Sequence, residues 1–243
     1  MEIVISENKL VLGKVAAQKG AELIRKAIKD NGKANVIVAT GASQFEMLNE
    51  LVKEDVDWSR VRAFHLDEYI GISQTHPASF RKYLKERFVD IVSPLEFNYV
   101  NGDIDSKVEC NRLDKLIKMH PIDVAFVGIG ENSHLAFNDP PADFETEEAY
   151  LVVTLDLECR KQQMGEGWFP SISDVPEQAI SMSIKQIMKS KAIICCVPDL
   201  RKAEAVKKTV KGSISPAIPA SIMRNHEAVW LYLDKDSASL LSE

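Results

Sequence analysis

The stretch IDVAFVGIGENSHLAFNDPP, residues 122–141, contains the features that decide the fold. It begins with a short, continuous apolar run, which is typical of a strand buried on both faces of a parallel sheet. Gly128 and Gly130 then open a polar loop that carries a single histidine, His134. In open α/β sheets, ligands bind beyond the carboxyl ends of the strands. We therefore expect this loop to form part of a ligand site.

The rest of the chain alternates in the same way between short apolar runs and longer stretches with helical spacing. Residues 11–32 predict a helix that ends at a glycine C-cap, and residues 43–55 predict one with Ser43 near its N-cap and Glu46 three residues on. Further helices are predicted over 78–92, 105–119 and 202–212, and strands over 35–40, 61–69, 122–130, 150–155, 191–197 and 228–234. This pattern predicts one α/β domain over residues 1–243, Rossmann-like and doubly wound, with a mainly parallel sheet and helices on both faces.

The composition excludes several classes of protein. The 243 residues carry a net charge of −6 without a basic cluster, which argues against nucleic acid as a partner. No apolar run approaches the roughly 20 residues that span a bilayer, and the N-terminus lacks a secretory pattern. The four cysteines show no zinc-ligand spacing, and the only close pair is adjacent in sequence. We expect a cytoplasmic protein with reduced thiols and no bound metal.

Three polar clusters follow predicted strands: TGAS (40–43), HLDEY (65–69) and GIGENSH (128–134). Parallel strands end at one edge of a sheet, so the three clusters are expected to meet. In TGAS, the backbone N–H groups of Gly41 and Ala42, with the hydroxyls of Thr40 and Ser43, suit a phosphate. The alternative is a plain tight turn capped by Ser43. GIGENS lacks the third glycine of a dinucleotide fingerprint, which excludes that interpretation.

The other candidates are titratable side chains. Asp67 and Glu68 lie at or just past a predicted strand end. A carboxylate near a bound sugar can move protons between its carbons. The alternative is that both are solvated acids in a loop. His134 suits general acid–base catalysis, or it is a structural histidine hydrogen-bonded within its loop. Lys202, beside Arg201, opens a predicted helix, where its charge opposes the helix dipole and suits an anionic ligand.

Taken together, these residues resemble the glucosamine-6-phosphate deaminase (isomerase) family, which shares its fold group with 6-phosphogluconolactonases and ribose-5-phosphate isomerases. The matching motifs run in order over most of the chain: ATGAS, FHLDEYIG, HPASF, GIGENSHLAFNDP, the Lys202 region and AIPAS. The resemblance implies aldose–ketose isomerisation of an amino-sugar 6-phosphate with loss of ammonia, without metal or organic cofactor. The enzyme is expected to act as a monomer or a homo-oligomer.

The resemblance also implies roles for individual residues. Asp67 would carry the proton between C2 and C1, and His134 would assist ring opening. Asp139 and Asn132 would orient His134, and Glu68 would be a supporting acid. The phosphate would be held by the TGAS turn and Lys202.

Three positions depart from the family pattern. Asn132 stands where many members have Asp, Asp139 stands where Glu is usual, and an arginine expected near Gln163 is missing. Either Arg160, three residues before Gln163, replaces that arginine as the phosphate contact, or Lys202 and Arg201 alone provide the positive charge. Trp168 and Phe169 are part of either a lid or the core. The departures leave galactosamine 6-phosphate open as the substrate. Two other functions also stay open, a lactonase activity and a non-catalytic sugar-phosphate sensor. Allosteric activation by an acetylated sugar phosphate is not expected.

Overall fold

The structure, a computed structural model, describes residues 1–241. Its strands are β1 (Glu2–Ser6), β2 (Ala34–Val38), β3 (Val61–His65), β4 (Asp67–Tyr69), β5 (Glu96–Asn98), β6 (Val124–Val127), β7 (Tyr150–Thr154), β8 (Gln178–Met182), β9 (Ala192–Val197) and β10 (Val229–Asp234). Its α-helices are α1 (Lys9–Asn31), α2 (Phe45–Leu51), α3 (Phe80–Leu84), α4 (Asp90–Val92), α5 (Ser106–Lys118), α6 (Leu157–Gly165), α7 (Ile184–Met188) and α8 (Ala203–Lys211). A π-helical turn (Lys85–Val89) joins α3 to α4.

The main sheet has seven parallel strands in the order β1-β10-β9-β6-β2-β3-β5. Successive side chains of its central strands enter two different cores. Val124 and Phe126 of β6 belong to the core that contains α1, whereas Ala125 and Val127 belong to the core that contains α5. Both faces are therefore covered by helices, and the prediction of a doubly wound, mainly parallel sheet is confirmed.

Helix α1 shows how the sequence defines such an element. Asn8 caps its N-terminus by accepting hydrogen bonds from the backbone N–H groups of Leu10 and Val11, and Gly32 ends it with a φ of 75°. Its buried face consists largely of small residues, and a Cβ built on Gly20 would lie 2.3 Å from the ring of Phe126. The glycine thus allows α1 to lie close against β6.

A second sheet of three antiparallel strands, β4-β8-β7, lies beside the ends of the main sheet. Residues 61–69 were expected to form one strand, and this prediction is wrong. The chain breaks at Leu66, because Val61–His65 pair with β2 whereas Asp67–Tyr69 pair with β8. The predicted strand over residues 150–155 exists but belongs to this second sheet. The sequence analysis did not predict β1, β5, β8, α6 or α7.

The capping role expected for Ser43 is also wrong. A 3₁₀ turn (Ala42–Gln44) precedes α2, and neither element has a side-chain cap hydrogen bond. Gly41 starts the turn with a φ of 95°, a conformation that favours glycine. Ser43 consequently lies inside the turn.

Candidate active site

A cleft opens where β2, β3, β6 and β9 of the main sheet end. The expected site residues in its lining are Thr40, Gly41, Ala42, Ser43, Asp67, His134 and Lys202. The three polar clusters predicted to meet do so here. Asn132 and Asp139 stand behind His134, whereas Glu68 and Arg160 are absent from the lining within residues 1–241.

Two glycines of the GIG sequence allow the loop after β6 to approach the other walls. A Cβ on Gly130 would lie 2.3 Å from His134 Nε2, and a Cβ on Gly128 would lie 2.5 Å from Ser43 Oγ. Real Cβ atoms do not come so close to other heavy atoms. A side chain at either position would therefore push His134 or Ser43 away from the cleft.

Asp67 is a buried carboxyl group at the floor of the cleft. Burial, followed by the negative charge of Glu68, raises the pKa of Asp67 to about 8. Its Oδ1 atom is buried and accepts no hydrogen bond from residues 1–241. A carboxyl group with this pKa can release and recover a proton near neutral pH.

Glu68 points away from the cleft, since successive strand residues alternate in direction. Its carboxylate accepts five hydrogen bonds, from the backbone N–H groups of Tyr69, Phe80 and Arg81, from Ser79 Oγ and from Arg81 Nε. The side chain is fully buried. These contacts fix the start of α3 against β4, so Glu68 acts on the cleft through its charge near Asp67.

His134 is held by a network of polar groups behind it. Its Nδ1 atom lies 2.8 Å from Asp139 Oδ1, and its backbone N–H donates to Asn132 Oδ1. Burial opposes ionisation of Asp139, but hydrogen bonds from His134 and Asn132 outweigh it and lower the pKa of Asp139. An ionised Asp139 accepts a hydrogen bond from Nδ1–H of His134. The proton of the neutral imidazole then stays on Nδ1, and Nε2 is free to accept a proton from a ligand.

Asn132 links two carboxylates. Its Nδ2 donates to Asp139 Oδ1 at 2.9 Å and to Asp156 Oδ2 at 3.1 Å. The backbone N–H of Asp156 in turn donates to Asp139 Oδ2. Asp139 reaches the imidazole directly despite its short side chain, and Asn132 holds it there. Asn138, four residues after His134, donates to the carbonyl groups of Leu135 and Met182 and thereby folds the loop.

Lys202 provides positive charge to the cleft from the 3₁₀ turn Leu200–Lys202 after β9. It is only 4% exposed, and burial lowers its pKa, while the charges of Glu166 and Glu131 act in the opposite direction. Arg201 instead forms an ion pair with Glu131 at 3.4 Å.

Arg160 is not the substitute phosphate ligand that its position suggested. Its guanidinium donates to the carbonyl groups of Ile172 and Val175, and so ties the following loop to α6.

Helix α6 and its C-cap residue contribute three side chains to the cleft lining that the sequence analysis did not predict there: Gln162, Gln163 and Glu166. Gln163, which stands near the expected arginine, accepts a 2.7 Å hydrogen bond from Tyr69 Oη. The N-cap signal of Asp156, whose carboxylate accepts from the backbone N–H of Cys159, would have located this helix.

The aromatic side chains after α6 pack against the body of the protein. Trp168 lies 6.1 Å from Phe45 and 6.5 Å from Tyr83, measured between ring centroids. Phe169 lies 5.3 Å from Tyr69 and is 4% exposed. These contacts favour the core interpretation of the two aromatics over the lid.

The residues behind His134 also include Cys159. Ligand atoms of His134, Asp139 and Cys159 lie within 4.8 Å of one another, which is close enough for a metal ion. The hydrogen bond between His134 and Asp139 already accounts for two of these groups. All four cysteines are free thiols. No helix within residues 1–241 is long and apolar enough to cross a membrane.

Comparisons with known proteins agree with this geometry. The family described as glucosamine-6-phosphate isomerases/6-phosphogluconolactonase matches residues 7–231. Glucosamine-6-phosphate deaminases of Listeria monocytogenes serotype 4a (strain HCC23) and Streptococcus pyogenes serotype M3 (strain SSI-1) are 36% and 35% identical, over 99% of this chain and 100% of theirs. The solved structure of a monomeric glucosamine-6-phosphate deaminase superposes with a TM-score of 0.90 at 31% identity, covering 99% of this chain and 100% of its own. A putative 6-phosphogluconolactonase from Neisseria gonorrhoeae FA 1090 shares the fold, with a TM-score of 0.75 at 18% identity over 96% of this chain and 99% of its own.

Proposed function

Because this chain belongs to the glucosamine-6-phosphate isomerase/6-phosphogluconolactonase family, we propose that it is a glucosamine-6-phosphate deaminase. With water as the second reactant, it converts the amino-sugar phosphate to fructose 6-phosphate and ammonia: aldose–ketose isomerisation gives an imine at C2, and water hydrolyses that imine. The reaction takes place in the cytoplasm and without metal or organic cofactor. The similarity to a monomeric deaminase along the whole chain favours a monomer over the homo-oligomer.

The observation that carries this proposal is Asp67. Isomerisation requires a base that takes a proton from C2 of the open-chain sugar and returns it at C1. A buried carboxyl group with a pKa of about 8 and an unpartnered oxygen suits both steps, because its two protonation states differ little in free energy near neutral pH.

His134 serves the preceding step, the opening of the sugar ring. With Nδ1 hydrogen-bonded to Asp139, its Nε2 atom accepts the proton of the C1 hydroxyl and delivers a proton to the ring oxygen. Asp139 supports the transient positive charge of the imidazole, and Asn132 orients Asp139. Asp139 performs the part expected of the usual Glu, and Asn132 the orienting part expected of the usual Asp.

The phosphate is bound by the TGAS turn and Lys202. Thr40, Ser43 and the backbone around Gly41 line one side of the cleft, and Lys202 adds the positive charge. Binding at this remote group positions C1 and C2 between Asp67 and His134, so that binding energy contributes to catalysis.

The test is ammonia release from glucosamine 6-phosphate, with galactosamine 6-phosphate in parallel. Turnover by the native chain that is lost in Asp67→Asn, but kept in the exposed control Asp57→Asn, supports the proposal. Preference for the galactosamine substrate would correct the epimer. A folded protein that releases no ammonia from either sugar contradicts the proposal. Hydrolysis of a phosphorylated lactone would then identify a lactonase, and binding of sugar phosphate without turnover would identify a sensor.

A further inference from the structure

Gln44 is fully buried beside the cleft but does not line it. Its Nε2 atom donates two hydrogen bonds, to Ser43 Oγ at 3.0 Å and to the carbonyl of Val127 at 3.1 Å. Its Oε1 atom accepts no hydrogen bond from residues 1–241. An unsatisfied buried acceptor costs about 1–3 kcal/mol, and an apolar side chain at this position would avoid that cost. The two donated hydrogen bonds therefore suggest a role for the amide.

The direction of these hydrogen bonds follows from their chemistry. The carbonyl oxygen of Val127 can only accept, so the NH₂ group of Gln44, and not its oxygen, must face β6. The same NH₂ group can only donate to Ser43. The Ser43 hydroxyl oxygen is then an acceptor toward Gln44, and its own proton must point elsewhere.

The surroundings restrict where that proton can point. Ser43 lines the cleft, and its Oγ atom packs so closely on Gly128 that a Cβ there would lie 2.5 Å from it. That Cβ would also lie 3.0 Å from Gln44 Nε2. With the backbone at Gly128 and the amide of Gln44 on its inner sides, the hydroxyl directs its proton into the cleft.

We propose that Gln44 is a positioning residue, which fixes the Ser43 hydroxyl as a hydrogen-bond donor to an anionic oxygen of the ligand. The role of Ser43 toward a phosphate rests on the proposed function. Gln44 itself does not touch the ligand. It acts by removing the rotational freedom of the hydroxyl, which is otherwise lost on binding.

The experiment compares Gln44→Met, Ser43→Ala and the double variant. Methionine has a similar length but donates no hydrogen bond. We expect Gln44→Met to raise KM for the sugar phosphate about fivefold to tenfold while kcat changes less than twofold, because one oriented donor to a charged group is lost. In the Ser43→Ala background the same substitution should have little further effect, since the hydroxyl is already absent. Gln18→Met, on the exposed side of α1, is the control.

Inorganic phosphate provides a second measurement that does not depend on turnover. Its Kd, measured by calorimetry, should rise in Gln44→Met by a factor similar to that of KM. If the chain releases no ammonia but this shift occurs and vanishes in the Ser43→Ala background, the proposed function fails and the role of Gln44 stands.

Additive effects of the two substitutions on Kd and KM would overturn the inference, as would unchanged values in a folded Gln44→Met variant. If Gln44→Met does not fold, Gln44→Asn, which keeps the amide but shortens its reach, is measured in the same cycle with the same two outcomes.

Discussion

The segments that follow β3 and β6 each bring an aspartate to the site, and the pKa values of the two aspartates shift in opposite directions. Burial and Glu68 raise the pKa of Asp67 to about 8, and its Oδ1 atom has no donor among residues 1–241. Asp139 is only partly buried, and hydrogen bonds from His134, Asn132 and the backbone of Asp156 outweigh the effect of burial and lower its pKa. Deeper burial of Asp67 and the hydrogen-bond donors around Asp139 together separate the pKa values of the two carboxyl groups.

In the proposed mechanism, this difference in pKa gives the two aspartates different roles. A carboxyl group whose pKa lies near the working pH exchanges protons with a substrate, whereas a permanently ionised one orients and stabilises a neighbouring base. Asp67 fits the first description and Asp139 the second.

The largest expected effect is that of Asp67→Asn on catalysis. Asparagine keeps the shape of the side chain but cannot transfer the proton, so kcat/KM for ammonia release should fall about a thousandfold. The Kd of inorganic phosphate should stay within twofold of the native value, because the proposed phosphate site is the TGAS turn. Retention of more than a tenth of the activity would show that another group is the base.

A smaller loss, roughly a hundredfold in kcat, is expected for Asp139→Asn. The amide cannot hold the Nδ1 proton of His134 as a carboxylate does, so the tautomer with a free Nε2 atom is no longer favoured. Asp143→Asn, in the exposed segment after the loop, is the control. Normal activity of Asp139→Asn would show that the negative charge of Asp139 is not needed to set the tautomer of His134.

The pH dependence of stability should separate the two aspartates in sign. The raised pKa of Asp67 means that its contribution to stability is greatest at low pH and is lost as pH rises from about 4 to about 8. The native chain therefore loses stability as pH rises through this window, and Asp67→Asn does not. The free energy of unfolding of the variant minus that of the native chain should increase by up to about 5 kcal/mol.

The lowered pKa of Asp139 predicts the reverse, with a stabilising contribution above its unfolded pKa that is lost as pH falls through the folded value. Urea unfolding of both variants and the native chain between pH 2 and pH 9 measures both slopes, because the Asp139 effect falls below about pH 4 and the Asp67 effect above it. Parallel pH profiles for the two variants would contradict the comparison.

The sequence was sufficient to predict the edge of the sheet at which the site forms, because βα alternation and the ends of apolar runs are local signals. Together with the family resemblance, these signals assigned Asp67, His134, Ser43 and Lys202 to one site, and all four line the cleft. The resemblance made Glu68 a supporting acid of the site, whereas Glu68 points away from the cleft and holds the start of α3, since the chain leaves the main sheet at Leu66 to pair with β8. That pairing depends on residues more than a hundred positions away.

The cleft wall formed by α6 was missed for a related reason. Gln162 and Glu166 carry no catalytic signature in sequence, and they enter the cleft only because Asp156, at the N-cap of α6, is tied to Asp139 and Asn132. Arg160 was one alternative for the missing arginine because of its position, but its guanidinium donates to backbone carbonyl groups of the next loop. Side-chain direction on a short helix cannot be read from residue type alone.

The smallest expected effect concerns Glu166, a carboxylate that lines the same cleft as Lys202. Its oxygens accept hydrogen bonds from Gln162 Nε2 and Trp168 Nε1, so it is fixed near the expected phosphate. Removing its charge in Glu166→Gln should lower KM for the sugar phosphate about threefold, because like charges repel across a low-dielectric cleft.

Glu158→Gln, exposed on the same helix, is the control, and the difference between the variants should shrink in high salt. An increase in KM for Glu166→Gln would instead place the carboxylate against the ammonium group of the substrate. The loop after β6 and helix α6 would then share the recognition of the amino sugar, and Asp67 would remain the only carboxyl group of the three that exchanges protons.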